Sequence, residues 1–365
     1  MEFPRNEFLK RIQEKGFSEN YQKAILDYAD NLTNLKLPVI FDTRHLSLFL
    51  NINYSYLLNL LNIRSCFYKY FTIRKRKNGL RRIITPYLPI KIMQKWIKTN
   101  ILDKVEVPDC VTAFTKQRSI VNNAKIHENA KFIKKIDIKN FFESVDLRMV
   151  YCVFLRLGYE KCLAYNMARI CTTSINQSKM EKLKDNSQID LFKELLEKQH
   201  PFLVQGAPSS PILANLVCAH LDKRLQKLAN SLGCNYSRYA DDITFSANSI
   251  DRIPKTELLK DILKTEGFEI NETKTKLLYP CNKQMVTGLL VNDKVRVSGK
   301  YKRDIFRHLH FCEKFGGLSF PRKICPDKKL YKLWLQGRIL FVNSVEPDIA
   351  QKMMDIYINK IDWEK

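Results

Sequence analysis

The chain has 365 residues, 45% hydrophobic and 27% charged, enough for two or three domains with an ample core. Its 62 Lys and Arg against 38 Asp and Glu leave a formal charge of +24, which points to a polyanionic partner, nucleic acid before membrane. No apolar run approaches membrane-spanning length, residues 1–15 are polar without a signal-peptide core, and the ten cysteines lack close paired spacing, so a reduced, cytoplasmic protein is expected.

Residues 18–34 read as a helix, with Tyr21, Ala24, Ile25, Tyr28 and Leu32 on one stripe. Thr43 is a candidate cap for a second helix running to Leu50, and residues 54–61 supply a third. Two short helices around Asn51-Ile52-Asn53 have the outline of a helix-turn-helix. The second holds no basic residue before Arg64, so an ordinary helical hairpin is the expectation. Charge then changes abruptly: residues 64–104 carry twelve Lys or Arg against one acid, Asp103. Within them, residues 77–80 read as a turn between β-rich runs at 70–73 and 82–84. A basic hairpin of this kind is either a solvated sheet edge or a flap over a nucleotide triphosphate. Residues 94–97 continue as a helix.

Asn123 and His127 lie near a short helix end, where a lone His is ordinarily structural. Residues 132–138 read as a strand in which Ile136 and Ile138 flank Asp137, so the carboxylate points to the opposite face. Residues 172–199 are polar and mixed in charge, with a helical patch at 191–196, and are expected to be a partly mobile insertion. Gln205-Gly206 opens a start signal for an apolar helix over 212–225. Gly206 permits close backbone approach, and Gln205 can donate to a sugar or base. The runs 235–240 and 243–247 alternate about Tyr239-Ala240-Asp241-Asp242, a hairpin whose turn residues are read as the two aspartates. Adjacent carboxylates repel and gain little at a hairpin tip without a cation. Oxygen donors alone suit Mg²⁺.

From Ser298 onward the chain is largely helical and at first basic, with Lys300, Lys302, Arg303 and Arg307. His308-x-His310-x-Cys312 has ligand-type residues, but the helical periodicity around it points to packing. Residues 328–334 combine lysines with aromatics. Tyr331 and Trp334 are three apart and share a helix face, either stacking on unpaired bases or buried in a core.

Asp137 at a strand end, with Asp241 and Asp242 on a hairpin, is the layout of a two-metal phosphoryl-transfer site. Here the chain resembles the palm of a reverse transcriptase: Asp137 matches the first catalytic motif, and residues 239–242 match the signature hairpin. The matches run in the expected order from Tyr70 to Gly288. In the basic hairpin, Lys75 and Arg81 match positions that contact incoming phosphates, with Pro86 closing the motif. Phe142 is chosen over Phe141 as the ring that meets the nucleotide sugar and selects deoxynucleotides, the alternative being two core phenylalanines. Gln205-Gly206 with Ser210-Pro211 match the motif that supports template base and nucleotide. Lys274 matches a lysine that is a candidate proton donor to pyrophosphate, or else a surface lysine. Asn123-Ala124-x-x-His127 and Val286-Thr287-Gly288 match signatures of retron reverse transcriptases.

The resemblance implies an α+β right-hand polymerase fold with fingers, an antiparallel palm sheet with helices, and a helical thumb-like C-terminal region. The divisions expected are an N-terminal helical region at 1–63, fingers with part of the palm at 64–136, palm at 137–290, and a thumb-like RNA-binding region at 291–365. It implies an RNA-directed DNA polymerase with Asp137, Asp241, Asp242 and Lys274 as catalytic residues. Two Mg²⁺ ions are expected on the three aspartates, with Ile138 beside Asp137. Nucleotide contacts are expected from Lys75, Arg81, Phe142, Gln205 and Gly206. RNA contacts are expected from Asn123, His127, Val286, Thr287, Gly288, Lys328, Tyr331 and Trp334. Implied partners are deoxynucleoside triphosphates, a cognate structured non-coding RNA primed from a 2′-hydroxyl to give branched RNA–DNA (msDNA), and any effector as a separate protein, in antiphage defence. Another bacterial lineage (intron-encoded, diversity-generating or abortive-infection type) would share the catalytic residues. A non-catalytic RNA-binding scaffold would have no need of three clustered carboxylates.

Overall fold

The computed structural model describes residues 3–74, 79–180, 186–317 and 330–364. It divides into two compact units, the first built from residues 1–114, 138–224 and 260–270, the second from residues 115–137, 225–259 and 271–365.

In the first unit, the helix Glu19–Asn34 is capped by Ser18, and its buried face centres on Ala29 and Leu32. Tyr21, in its first turn, is exposed and leans on Phe17 instead. The next helix, Thr43–Phe49, is capped by Asp42, whose carboxylate accepts from the His45 amide at 2.6 Å. Thr43 is not the cap: it is buried, and its hydroxyl takes the Asn166 amide at 2.8 Å. The helix Tyr54–Asn62 buries Leu57, Leu60 and Leu61, so the pair is a packed helical hairpin. Arg169 ties it to the helix Lys161–Cys171 through Asn62.

Strands β1 (Tyr68–Arg74) and β2 (Leu80–Pro86) form the basic hairpin, antiparallel in register from Tyr68 opposite Pro86 to Arg74 opposite Leu80. Its base is buried through Tyr68 and Ile84, and Arg74 and Arg81 farther out are exposed. The expected mobile insertion is docked where it is described. The helix Asn186–Leu196 buries Phe192 and Leu195, and the Phe192 ring meets Tyr70 edge-on at 5.7 Å. Its polar composition belongs to the outer face, while the inner face follows the usual three-residue spacing. The single helix expected over 212–225 is two, Ser210–Val217 and Ala219–Leu232, parted at Cys218. The apolar pattern runs through that break unaltered, so periodicity does not reveal it.

The second unit holds a four-stranded antiparallel sheet made of β3 (Phe132–Asp137), β4 (Asn235–Tyr239), β5 (Asp242–Ala247) and β6 (Lys276–Leu278), in the order β4-β5-β3-β6. A small hairpin, β7 (Met285–Val286) and β8 (Leu289–Leu290), turns through Thr287 and Gly288. Both turn residues have positive φ, 47° and 87°, as a two-residue turn matching strand twist requires. Val286 and Leu289 enter one core with Ala124 of the helix Ile120–Lys125. That core also takes Ile305 and Leu309 of the helix Gly299–Phe315, Leu335 and Ile339 of the helix Tyr331–Asn343, and Met353 of the helix Pro347–Asn359. Among the described residues no helix is long and apolar enough to cross a membrane, and no two of the nine described cysteines form a disulfide.

Candidate active site

The sheet of the second unit assembles the carboxylates. Asp137 ends β3 and pairs with Asp242, the first residue of β5, which in turn pairs with Tyr239. Residues opposite each other on neighbouring strands share a face, so Asp137 and Asp242 project from the same side. The register corrects the expected turn. The two-residue loop is Ala240-Asp241, and Asp242 already belongs to the strand. Ala240 takes a left-handed φ of 57°, which costs an alanine about 1 kcal/mol. The buried Arg238 guanidinium holds it there by donating to the Ala240 carbonyl at 3.1 Å.

Burial, then the negative charges of Asp242 and Asp137, push the Asp241 carboxyl up to about 6. Asp242 is also raised, chiefly by burial, while the Lys135 ammonium works against the rise. Lys274 stands beside them. Its ammonium donates to both Asp137 oxygens, each at 2.8 Å. The Lys274 side chain is 56% exposed against 11% for Asp137, so one end of the pair is free to move into solvent. The short turn Glu272–Lys274 is itself fastened to β3, because the Asn271 amide donates to the Asp137 carbonyl at 2.8 Å.

The donor set fits a hard divalent cation: oxygen only, charged, and desolvated, so that the Asp241 and Asp242 carboxyls are held above the usual range and a cation would relieve them. Among the described residues, no group of three or more His, Cys, Asp or Glu side chains is gathered so as to hold a metal ion. The fit therefore rests on donor chemistry and on the lysine that already neutralises Asp137.

The first unit holds the residues expected to meet nucleotide. Gly206 has a φ of 127°, and a Cβ there would lie 2.8 Å from the Ile84 carbonyl oxygen. The close approach that this glycine permits is thus to β2, which also donates from the Ile84 amide to the Gln205 carbonyl at 3.0 Å. Gln205 is half-buried. In the short helix Phe141–Ser144, Phe141 is buried against Phe268, while Phe142 is half-buried with Phe114 at 6.3 Å. Arg81 is exposed on β2, and Lys75 lies outside the described residues. Arg82, which the motif reading passed over, is the anchored member of the pair. It donates to Glu143 at 3.1 Å, to the left-handed Asn140 at 2.9 Å and to the Leu191 carbonyl at 2.8 Å. Only its neighbours across the chain distinguish it from Arg81.

Several expected RNA contacts lie inside the protein. Asn123, His127, Val286 and Tyr331 are buried. In the described fold their side chains face protein and do not offer a surface to RNA. The Tyr331 hydroxyl meets His308 Nδ1 at 2.7 Å, which also settles His308 as a packing residue, with His310 exposed nearby. Trp334 is half-buried and sandwiches the Arg338 guanidinium with Tyr301, at 4.8 and 4.5 Å. Thr287 is half-buried, Gly288 is exposed at the turn tip, and Lys328 lies outside the described residues. An open basic cleft is instead lined by Lys300, Arg303, Arg307 and Arg338, with Tyr301 and Asp304. Its signal in the sequence is the run of basic residues at 300, 303 and 307, one face of a helix.

A family model described as reverse transcriptase (RNA-dependent DNA polymerase) matches residues 73–304. The retron Ec86 reverse transcriptase of Escherichia coli is 32% identical over 337 residues, covering 91% of this chain and 92% of that protein. The retron Mx162 reverse transcriptase of Myxococcus xanthus is 32% identical over 296 residues, 77% of this chain and 58% of that protein. With this family match over an antiparallel, carboxylate-bearing sheet, the chain belongs to the retron-type reverse transcriptases, and is an RNA-directed DNA polymerase of the right-hand fold.

Proposed function

We propose that Asp137, Asp241 and Asp242 are the catalytic carboxylates, and that they hold two Mg²⁺ ions with Ile138 beside them. The observation that carries this is the pairing of Asp137 with Asp242 across adjacent strands, with Asp241 desolvated in the intervening turn of a strongly basic chain. Bound Mg²⁺ would supply Lewis acidity for the priming hydroxyl and charge neutralisation for the triphosphate. Lys274 balances Asp137 before nucleotide arrives and, being exposed, is free to swing and donate a proton to the leaving pyrophosphate. Arg81 and Lys75 neutralise the triphosphate of the incoming deoxynucleotide, Gln205 and Gly206 support it, and the half-buried Phe142 ring rejects a 2′-hydroxyl. The working division is that of the resemblance: an N-terminal helical region to 63, fingers with part of the palm to 136, palm to 290, and the thumb-like region beyond.

The RNA is a cognate structured non-coding RNA that serves as template and provides a 2′-hydroxyl primer, giving a branched RNA–DNA product that acts in antiphage defence with a separate effector. Relatives named as retron reverse transcriptases support this reading, as does the basic cleft at Lys300, Arg303 and Arg307. The test is to sequence the nucleic acid that co-purifies with the protein before and after adding deoxynucleotides. One structured RNA with DNA joined at an internal guanosine is expected. An unselected RNA mixture, or DNA grown only from 3′ ends, would overturn the retron-specific part. The same reaction with Phe142→Val should incorporate ribonucleotides, and unchanged sugar choice would move the gate to another ring.

A further inference from the structure

His127 is fully buried between two hydroxyls. Its Nε2 lies 2.7 Å from Ser237 Oγ and its Nδ1 lies 2.8 Å from Ser246 Oγ. Ser237 is on β4 and Ser246 on β5, the two strands that carry the aspartate turn. Ser246 pairs with Asn235, so the serines are diagonal neighbours on one face, and that face is the one from which Asp137 and Asp242 project. A neutral imidazole donates from one nitrogen and accepts at the other, which lets it satisfy both serines at once. Burial, with the Lys135 charge behind it, pushes the His127 imidazole down to about 3, so this neutral form persists at any pH at which the enzyme works.

The need for such a tie follows from topology. β4 is the edge of the sheet, with β5 its strand neighbour among the described residues. Hairpin pairing fixes its register but leaves its outer side to be held by side chains. Two groups of the 120–131 segment do this: His127 through Ser237, and the Ile126 carbonyl, which accepts from Asn235 Nδ2 at 3.0 Å. That segment is in turn stitched to residues 284–295. Thr287 Oγ1 donates to the Ile120 carbonyl at 3.0 Å, Gln284 Nε2 to the Lys131 carbonyl at 2.8 Å, and the Val295 amide to Glu128 at 3.0 Å. The Asn129 amide donates to the Val291 carbonyl at 2.9 Å.

We infer that His127 is a positioning residue for DNA synthesis, clamping both strands of the aspartate hairpin from one face, and that the Thr287 turn braces the segment that carries it. The two signatures, residues 123–127 and 286–288, are then parts of one buttress under the catalytic turn rather than two RNA contacts. This rests on the assignment of Asp241 and Asp242 as catalytic. In-line phosphoryl transfer is sensitive to ångström-scale misplacement of the groups that hold the reactants, so loosening an edge strand near its turn acts on rate before it acts on binding.

The experiment compares His127→Leu, His127→Gln, Ser237→Ala and Ser246→Ala with the unaltered protein in primed extension on the co-purifying RNA and on an unrelated template. His127→Leu leaves two buried hydroxyls without their partner, and kcat should fall about tenfold or more on both templates with RNA affinity unchanged. The Mg²⁺ concentration at half-maximal rate should rise. His127→Gln, which can both donate and accept, should recover most of the rate. The serine variants each remove one hydroxyl without a change of volume that threatens folding, and should give smaller losses of the same kind. Weaker RNA affinity with kcat intact would overturn the inference in favour of RNA contact. A lower melting temperature with kcat intact well below it would reduce His127 to a core residue. Asp241→Asn is the control: if it stays active, the catalytic assignment fails. If it is inactive while His127→Leu keeps full rate, only the buttress fails.

Discussion

Two hairpins of this protein treat charge in opposite ways. The β1–β2 hairpin leaves Lys69, Arg74 and Arg81 in solvent, where a cation costs little and remains available to a phosphate. Among its described residues the enclosed cation is Arg82, matched by Glu143 and by neutral acceptors. The β4–β5 hairpin buries nearly all of its second strand and keeps two carboxylates at its turn, with Asp241 raised to about 6 and Asp242 also raised. Exposed charge attracts a ligand without being altered by the fold. Buried like charges store an unfavourable interaction that a cation relieves, as the catalytic role proposed for the acidic turn requires.

The comparison breaks most readily at the acidic turn. Asp241→Asn with Asp242→Asn should lower Mg²⁺-dependent extension of a primed RNA template by about a thousandfold or more, while RNA binding stays intact, because the bulk of the positive charge is elsewhere. Full extension by that double variant, measured in single-turnover assays, would remove the distinction between the hairpins.

The enclosed cation gives the next largest effect. Arg82→Ala strands the buried Glu143 carboxylate and two further acceptors, and should destabilise the protein by about 3 kcal/mol, read from the urea midpoint. A shift no larger than that of a surface lysine-to-alanine change would mean that Arg82 is as dispensable to the fold as its exposed neighbours.

The smallest effect sharpens the comparison through pH. The Asp241 pKa is higher in the folded protein than its ordinary value of 3.8, so the folded state binds the extra proton between about 4 and about 6. Its contribution to stability is complete below pH 4 and is lost as pH rises through 6. Asparagine imitates the protonated form at every pH. Asp241→Asn should therefore be more stable than the unaltered protein at pH 7–8, by on the order of 1 kcal/mol, and the gap should close as pH falls to 4. Denaturation midpoints across that range check it, and a gap that widens toward acid would reverse the assigned sign.

The strands that carry the aspartates, and the family, were legible in the chain. Alternation with period two located the strands around Asp137 and the aspartate hairpin, and the order of motifs named the polymerase family before any fold was in view. The turn was misread by one residue because Asp-Asp looks like a loop, and only the pairing of Tyr239 with Asp242 shows that the second aspartate is already strand. Asp42 outranks Thr43 as a cap because Asn166, far along the chain, claims the threonine hydroxyl. Arg81 and Arg82 are indistinguishable as letters, and the docking of residues 186–196 and 140–143 decides which one is held.

The sequence alone supplied the candidates: three carboxylates, a lysine in a matching motif, and a large basic excess to meet nucleic acid. These depend on residue type and short-range periodicity, which a chain retains whether or not it is folded. Tertiary structure decided which polar groups lost their water. His127 is enclosed because Ser237 and Ser246 close on it from 110 and 119 residues away. Desolvation is a property of neighbours that long-range packing brings together, so it has no signature in the local run of residues.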